Sequence, residues 1–161
     1  MRRGVTAAAV VTVVVAAVII RTQFIDVVSV SSGSMSPTVC TGDIVVLARM
    51  VGGDGVTDGE IITFPRPLDG TQMIKRVVAT EGQRVAIKDA ELFVDGIRVD
   101  EPYVDHASID GVYTGTVTVE PGFVFVLGDN REIAIDSRAY GPIPTSAIDG
   151  KLLFKLWSDC P

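Results

Sequence analysis

The sequence predicts a mostly β fold: an N-terminal transmembrane helix followed by one curved, mainly antiparallel β-domain. Three observations predict it. Residues 4–20 (GVTAAAVVTVVVAAVII) form an uncharged run bracketed by Arg2, Arg3 and Arg21. After that run the chain consists of short stretches rich in Val, Ile and Phe, punctuated by Gly, Asp and Pro, which is how strands and their turns read. No long amphipathic helical period interrupts them.

Taken in order, the seventeen apolar residues reach roughly 26 Å as a helix, and cross a hydrocarbon core of about 30 Å once Arg21 snorkels and Phe24 and Ile25 extend the run. The run is longer than that of a cleaved secretory peptide, and it meets Arg21-Thr22-Gln23 instead of a small-x-small site. Residues 1–23 are therefore expected to be a single-pass anchor. Arg2, Arg3 and the α-amine outnumber Arg21, which places the N-terminus in the cytoplasm and residues 24–161 outside it. In that exported part, strands are expected at 27–30, 43–49, 60–64, 72–79, 84–88, 91–94, 115–119 and 123–127. Asp95-Gly96 is a two-residue hairpin signal, and VGGDGVTDG at 51–59 is a polar loop. A hairpin-rich insertion is expected around residues 82–118.

Composition excludes several function classes. The 161 residues suit one domain plus an anchor, and 47% are hydrophobic. The net charge of −6, with scattered Lys and Arg, leaves no footprint for nucleic acid. One histidine and two distant cysteines, Cys40 and Cys160, have no metal-ligand spacing, so neither a metal nor any other cofactor is expected. The cysteines could pair in an oxidising compartment, or Cys40 could be a free buried thiol.

Chemistry points to Val30-Ser31-Ser32-Gly33-Ser34-Met35-Ser36-Pro37-Thr38-Val39. Pro37 restricts its own φ and pushes Ser36 toward an extended conformation, while Gly33 is expected to relieve crowding beside Ser34. The result is a serine held on a constrained turn. A histidine base is the ordinary partner, but His106 lies in a polar stretch that reads as a surface loop. Lys75 is the better candidate. In Met73-Ile74-Lys75-Arg76-Val77-Val78-Ala79 the period of two puts Lys75 on one face with Met73, Val77 and Ala79. Apolar neighbours disfavour its charge, and only the neutral amine accepts a proton. A third element, residues 126–142 (VLGDNREIAIDSRAYGP), packs acids and arginines into a loop after an apolar strand, as ion pairs supporting a site wall would require. Asp136 could pair there with Arg138 or with Arg76.

Together these motifs resemble the bacterial type I signal peptidases, membrane-bound serine proteases that remove signal peptides. The resemblance runs in order through Ser32-Gly33-Ser34-Met35-Ser36-Pro37-Thr38, Gly42-Asp43-Ile44-Val45-Val46, Lys75-Arg76-Val77-Val78, and Gly128-Asp129-Asn130-Arg131 with Asp136-Ser137-Arg138. It implies a signal-peptidase type of β-domain in the bacterial cell membrane, with Ser34 as nucleophile and Lys75 as general base of a dyad. The oxyanion would be held by the Ser34 N–H and the Ser32 hydroxyl. Preprotein signal peptides and membrane lipid are the implied partners, and cleavage follows Ala-x-Ala sites. Val30, Met35, Val39, Met73 and Ile74 would line the substrate pockets, with Asp129, Arg131, Asp136, Ser137 and Arg138 as supports. Two departures stand out. Ala134 occupies a position where the family usually has a serine bonding the lysine, leaving Ser137, a water or a backbone carbonyl to replace that hydroxyl, and Ser36 follows Met35 where apolar residues are frequent. The missing hydroxyl keeps a second reading open, a weakly active relative that assembles or chaperones surface proteins. Self-cleaving repressors share Ser-Lys chemistry but carry a DNA-binding domain where this chain has an apolar segment.

Overall fold

The computed structural model describes residues 11–15, 23–50, 52–53, 55–105 and 114–160. Among them the chain forms β1 (Ile25–Ser29), β2 (Ile44–Arg49), β3 (Ile61–Pro65), β4 (Gln72–Ala79), β5 (Arg84–Lys88), β6 (Glu91–Val94), β7 (Ile97–Arg98), β8 (Thr114–Thr118), β9 (Phe123–Leu127), β10 (Ile143–Pro144) and β11 (Gly150–Trp157). One short helix, Ser137–Tyr140, follows β9. Residues 11–15 are helical and exposed. The remainder of the expected anchor lies outside the described residues, and among those described no helix is long and apolar enough to cross a membrane.

Two sheets carry the architecture. The larger has the order β1-β2-β11-β3-β4-β9-β10, and the smaller β7-β6-β5-β8. β4 and β9 pair as antiparallel neighbours in the large sheet, so the chain between them leaves to build the small one. That excursion is the expected insertion. Its hairpin turns on Asp95 and Gly96, both at positive φ (52° and 80°), the geometry that an Asp-Gly turn supplies most readily. Val78 and Ala79 of β4 pack with Val85, Ile87, Leu92 and Phe125 in a core that joins the two sheets. A second core gathers Ile62, Phe64, Val77, Val124, Val126 and Ile143. The third, Val30, Met35, Val39, Val45, Leu47 and Ile61, lies under the serine-rich turn.

β11 was not among the expected strands. Its sequence GKLLFKLW breaks period-two alternation, and the structure gives the reason: the pairing with β2 shifts between Leu152 and Phe154 and again between Lys155 and Trp157. Each bulge re-aims the following side chains. Beyond β11 the chain turns back to the serine-rich turn, where Cys160 is disulfide-bonded to Cys40 across 120 residues.

The insertion is tied to the loop after β9 by a buried ion pair between Glu101 and Arg131, both side chains almost wholly enclosed. Tyr103 Oη also donates to Glu101, at 3.2 Å, while Glu101 Oε2 and Arg131 Nη1 have no partner among the described residues. Removing one member leaves an uncompensated charge in the interior. Glu101→Ala is expected to destabilise the protein by about 3–5 kcal/mol in urea unfolding, and replacing both residues with apolar ones should recover most of that loss. A Glu101→Ala change below about 1 kcal/mol would show that the pair is solvated.

Candidate active site

The site begins where β1 ends. The Val30 N–H donates to Asp43 O (2.9 Å) and the Gly42 N–H to Val30 O (2.8 Å), closing residues 30–43 into a tight excursion. Within it Met35 and Val39 form an isolated antiparallel bridge, both completely buried in the third core. Ser34 is thus fixed by the apolar plug that follows it. A side chain at Gly33 would meet only ordinary contacts, at 3.6 to 3.8 Å, so Gly33 does not relieve the crowding expected of it. The glycine without room is Gly128: a Cβ there would lie 2.3 Å from the Cβ of Ala134 and 2.6 Å from Ser34 O. The Asn130 N–H donates to that same Ser34 carbonyl (3.1 Å). The loop after β9 therefore packs directly on the backbone of Ser34.

Lys75 approaches from β4. Its strand is covered on both faces from Lys75 onward, which hides the alternation that the sequence suggested, and the side chain is only 1% exposed. Nζ lies 2.7 Å from Ser34 Oγ and donates to Ile74 O at 2.8 Å. Burial pulls the Lys75 ammonium down from its ordinary 10.5 to about 8, against the opposing pull of the Asp136 and Asp129 carboxylates. Ser32 Oγ is 3.2 Å from Ser34 Oγ.

The serine absent at position 134 is not replaced by Ser137, whose hydroxyl accepts from the Val126 N–H at 3.0 Å. The second contact of the amine is the Ile74 carbonyl, one of the three substitutes that the sequence left open. Asp136 pairs with Arg138, not Arg76: Arg138 Nε and Nη2 donate to it at 2.8 and 2.9 Å, and the Gly128 N–H donates at 3.0 Å. Arg76 instead grips Asp129, with Nε and Nη2 at 2.9 and 2.6 Å, and stacks over Tyr103 at 4.0 Å. Thr38 also donates to Asp129. Arg131 reaches back to Gly128 O at 2.9 Å. The sequence reading offered Arg76 only as an alternative partner of Asp136 and gave Gly128, Asn130 and Thr38 no role of their own, because their contacts depend on loop closure. Only the glycine directly after an apolar strand carried a signal of close backbone approach.

Beside the pair lies a small cleft of about 120 Å³. Val30, Ser32, Met73, Ile74 and Lys75 line it, with Val45 and Leu47 below. Met35 and Val39, also expected there, sit wholly buried in the core beneath Ser34. His106 lies outside the described residues. Among those described, Cys40, Asp43 and Cys160 bring potential metal donors together, but both sulfurs are committed to the disulfide.

An added methyl at position 128 must displace either Ala134 or the carbonyl of Ser34. Gly128→Ala is expected to cost about 1–3 kcal/mol in thermal or urea unfolding and to separate Ser34 from Lys75, abolishing reaction with a serine-directed acylating probe. Unchanged stability and labelling would contradict the packing described.

The chain is similar to known proteins along most of its length. Residues 3–157 match the family described as signal peptidase, peptidase S26. The chain is 35% identical over 141 residues to signal peptidase I of Bacillus caldolyticus, covering 80% of this chain and 77% of that protein. It is 33% identical over 148 residues to signal peptidase IB of Staphylococcus aureus (strain COL), covering 80% and 76%. To the chloroplastic thylakoidal processing peptidase 1 of Arabidopsis thaliana it is 33% identical over 159 residues, 91% of this chain but 46% of that one. A crystal structure of a signal peptidase I from Enterococcus faecalis V583 superposes with a TM-score of 0.55 at 30% identity, over 62% of this chain and 98% of that one. The chain belongs to the signal peptidase family, peptidase S26.

Proposed function

We propose that this protein removes N-terminal signal peptides from exported preproteins after Ala-x-Ala sites, by acyl transfer through a Ser34-Lys75 dyad. The observation that carries the reading is the 2.7 Å contact between Ser34 Oγ and a Lys75 amine that is buried and held near 8. At pH 7 about a tenth of such an amine is neutral, against a negligible fraction at 10.5. The neutral amine takes the proton of Ser34 as Oγ attacks the scissile carbonyl. The oxyanion is held by the Ser34 N–H and the Ser32 hydroxyl, and the lysine then delivers its proton to the departing amine. Water, activated by the same amine, hydrolyses the ester. An extended peptide lying between residues 30–32 and 73–74 would place small side chains in the shallow cleft, whose Val30, Met73 and Ile74 exclude larger ones.

The catalytic domain is proposed to work outside the cytoplasm, at a membrane surface. The Cys40–Cys160 disulfide supports an oxidising compartment. One face of the large sheet supports the lipid contact: the paired rows Val27, Val46, Phe154 and Ser29, Ile44, Trp157 run across β1, β2 and β11. Phe154 and Trp157 are 54% and 64% exposed on that face, an arrangement suited to an interface between water and lipid. The reading of an assembly factor without proteolysis rests on Ala134 alone, and the Ile74 carbonyl offsets that loss.

Incubating a preprotein or an Ala-x-Ala peptide with wild type, Ser34→Ala, Lys75→Ala and Ser32→Ala tests the assignment. The first two variants are expected to be inactive. Ser32→Ala should lose roughly 10²–10³ in kcat with its thermal stability preserved, because the hydroxyl is exposed. Equal cleavage by all four proteins would end the protease reading.

A further inference from the structure

The two cysteines are the only ones in the chain, and they join the turn that carries Ser34 to the last residues after β11. Cys40 lies six positions beyond Ser34, directly after the buried Val39. The tail it captures makes its polar contacts with this same turn. The Asp159 N–H donates to Asp43 Oδ1 at 2.6 Å, and the Cys40 N–H donates to the other oxygen of that carboxylate at 3.0 Å. Burial would push the Asp43 carboxyl up, but these two N–H groups and the nearby Lys155 hold it below its ordinary value. Lys155 Nζ lies 3.6 Å from Asp43 and donates to Thr38 O at 2.9 Å. Asp159 also packs against Gly42, where a Cβ would meet its carboxylate at 3.0 Å. Thr38 in turn donates to Asp129, the partner of Arg76 beside Lys75. A chain of contacts thus runs from the disulfide through Asp43, Lys155 and Thr38 to Asp129, one of the two carboxylates that act on the Lys75 amine.

We propose that the Cys40–Cys160 disulfide is a redox-controlled clamp on the nucleophile turn. Closed, it seats residues 158–160 under residues 38–43 and holds Ser34 in register with Lys75. Opened, it releases the tail while Met35 and Val39 keep the turn folded in its core. Cys160 is partly exposed and Cys40 buried, so an incoming thiolate reaches the Cys160 sulfur first. In the balanced reaction a dithiol attacks Cys160, Cys40 leaves as a thiolate, and the second thiol of the reductant resolves the mixed disulfide. Two electrons pass to this chain, the reductant becomes a disulfide, and Cys40 and Cys160 end as thiols. Closure runs the same exchange in reverse and requires a disulfide-bearing oxidant, the class of reaction that must act on the exported domain before it is fully active.

Only the activity arm of the test rests on the proposed peptidase function. The full chain in detergent micelles is compared oxidised, after dithiothreitol, after reoxidation, and as Cys160→Ser. Hydrogen exchange is followed at the Val39 and Asn130 amides, bonded to Met35 O and Ser34 O, and at the ladder amides of β5 in the distant sheet. Cleavage of an Ala-x-Ala peptide is measured in parallel. Reduction is expected to speed exchange at Val39 and Asn130, leave β5 protected, and lower kcat about tenfold or more, as small misplacements of reacting groups do. Reoxidation restores the rate, and Cys160→Ser starts at the reduced level and ignores dithiothreitol. Unchanged exchange at Val39 and Asn130, or faster exchange with an unchanged rate, overturns the clamp. So does loss of protection throughout, β5 included, which would make the bridge a general staple. If no form cleaves the peptide, the peptidase reading fails while the exchange arm still decides the clamp.

Discussion

Everything around the site depends on keeping the amine of Lys75 out of water. A lysine on an open strand edge holds its proton near 10.5 and is useless as a base at neutral pH. Enclosed between β4, the serine turn and the loop after β9, it is pulled to about 8. The difference corresponds to about 3 kcal/mol, and its sign is unfavourable to folding. Because the folded value lies below the unfolded one, the protonated lysine opposes folding below pH 8, and that cost falls away as pH rises from about 8 toward 10.5. The fold accepts an unstable group, and the proposed reaction needs that group to take a proton.

The supports are arranged to protect that condition. Two carboxylates lie close enough to draw the lysine back toward its charged form, yet each is gripped by an arginine: Asp129 by Arg76, Asp136 by Arg138. Their charge is largely committed before it reaches Nζ, and burial wins. The same pairs fix geometry. Asp136 holds the Gly128 N–H and starts the short helix, while Gly128 lets the loop backbone touch the carbonyl of Ser34. In the proposed function the cleft of about 120 Å³ beside Ser34 and Lys75 would receive the small side chains of the substrate.

Much of this was legible in the sequence because it is carried by local pattern. The strands at 72–79, 84–88, 91–94 and 123–127 lie where Val, Ile and Phe alternate or run together between turn residues, and Asp95-Gly96 makes the turn it announces. Ser34 and Lys75 were legible through their motifs, and the structure brings them into contact. What the sequence missed or left open depends on closure between distant segments. β11 carries two bulges that destroy its period, the Cys40–Cys160 pairing joins residues whose proximity only the sheet order creates, and the Ile74 carbonyl leaves no trace in side-chain identity. Gly33 and Gly128 make the point in opposite directions: the motif drew attention to the first, and the contacts belong to the second.

Burial, more than any neighbouring charge, sets the proton affinity of Lys75. Direct titration of its amine by heteronuclear NMR, in wild-type protein with lysine isotopically labelled at Nζ and the resonance assigned through Lys75→Arg, tests it without reference to any substrate. A midpoint near 8 is expected. A midpoint at the ordinary 10.5 would overturn this, since Ser34 would then face a cation at neutral pH.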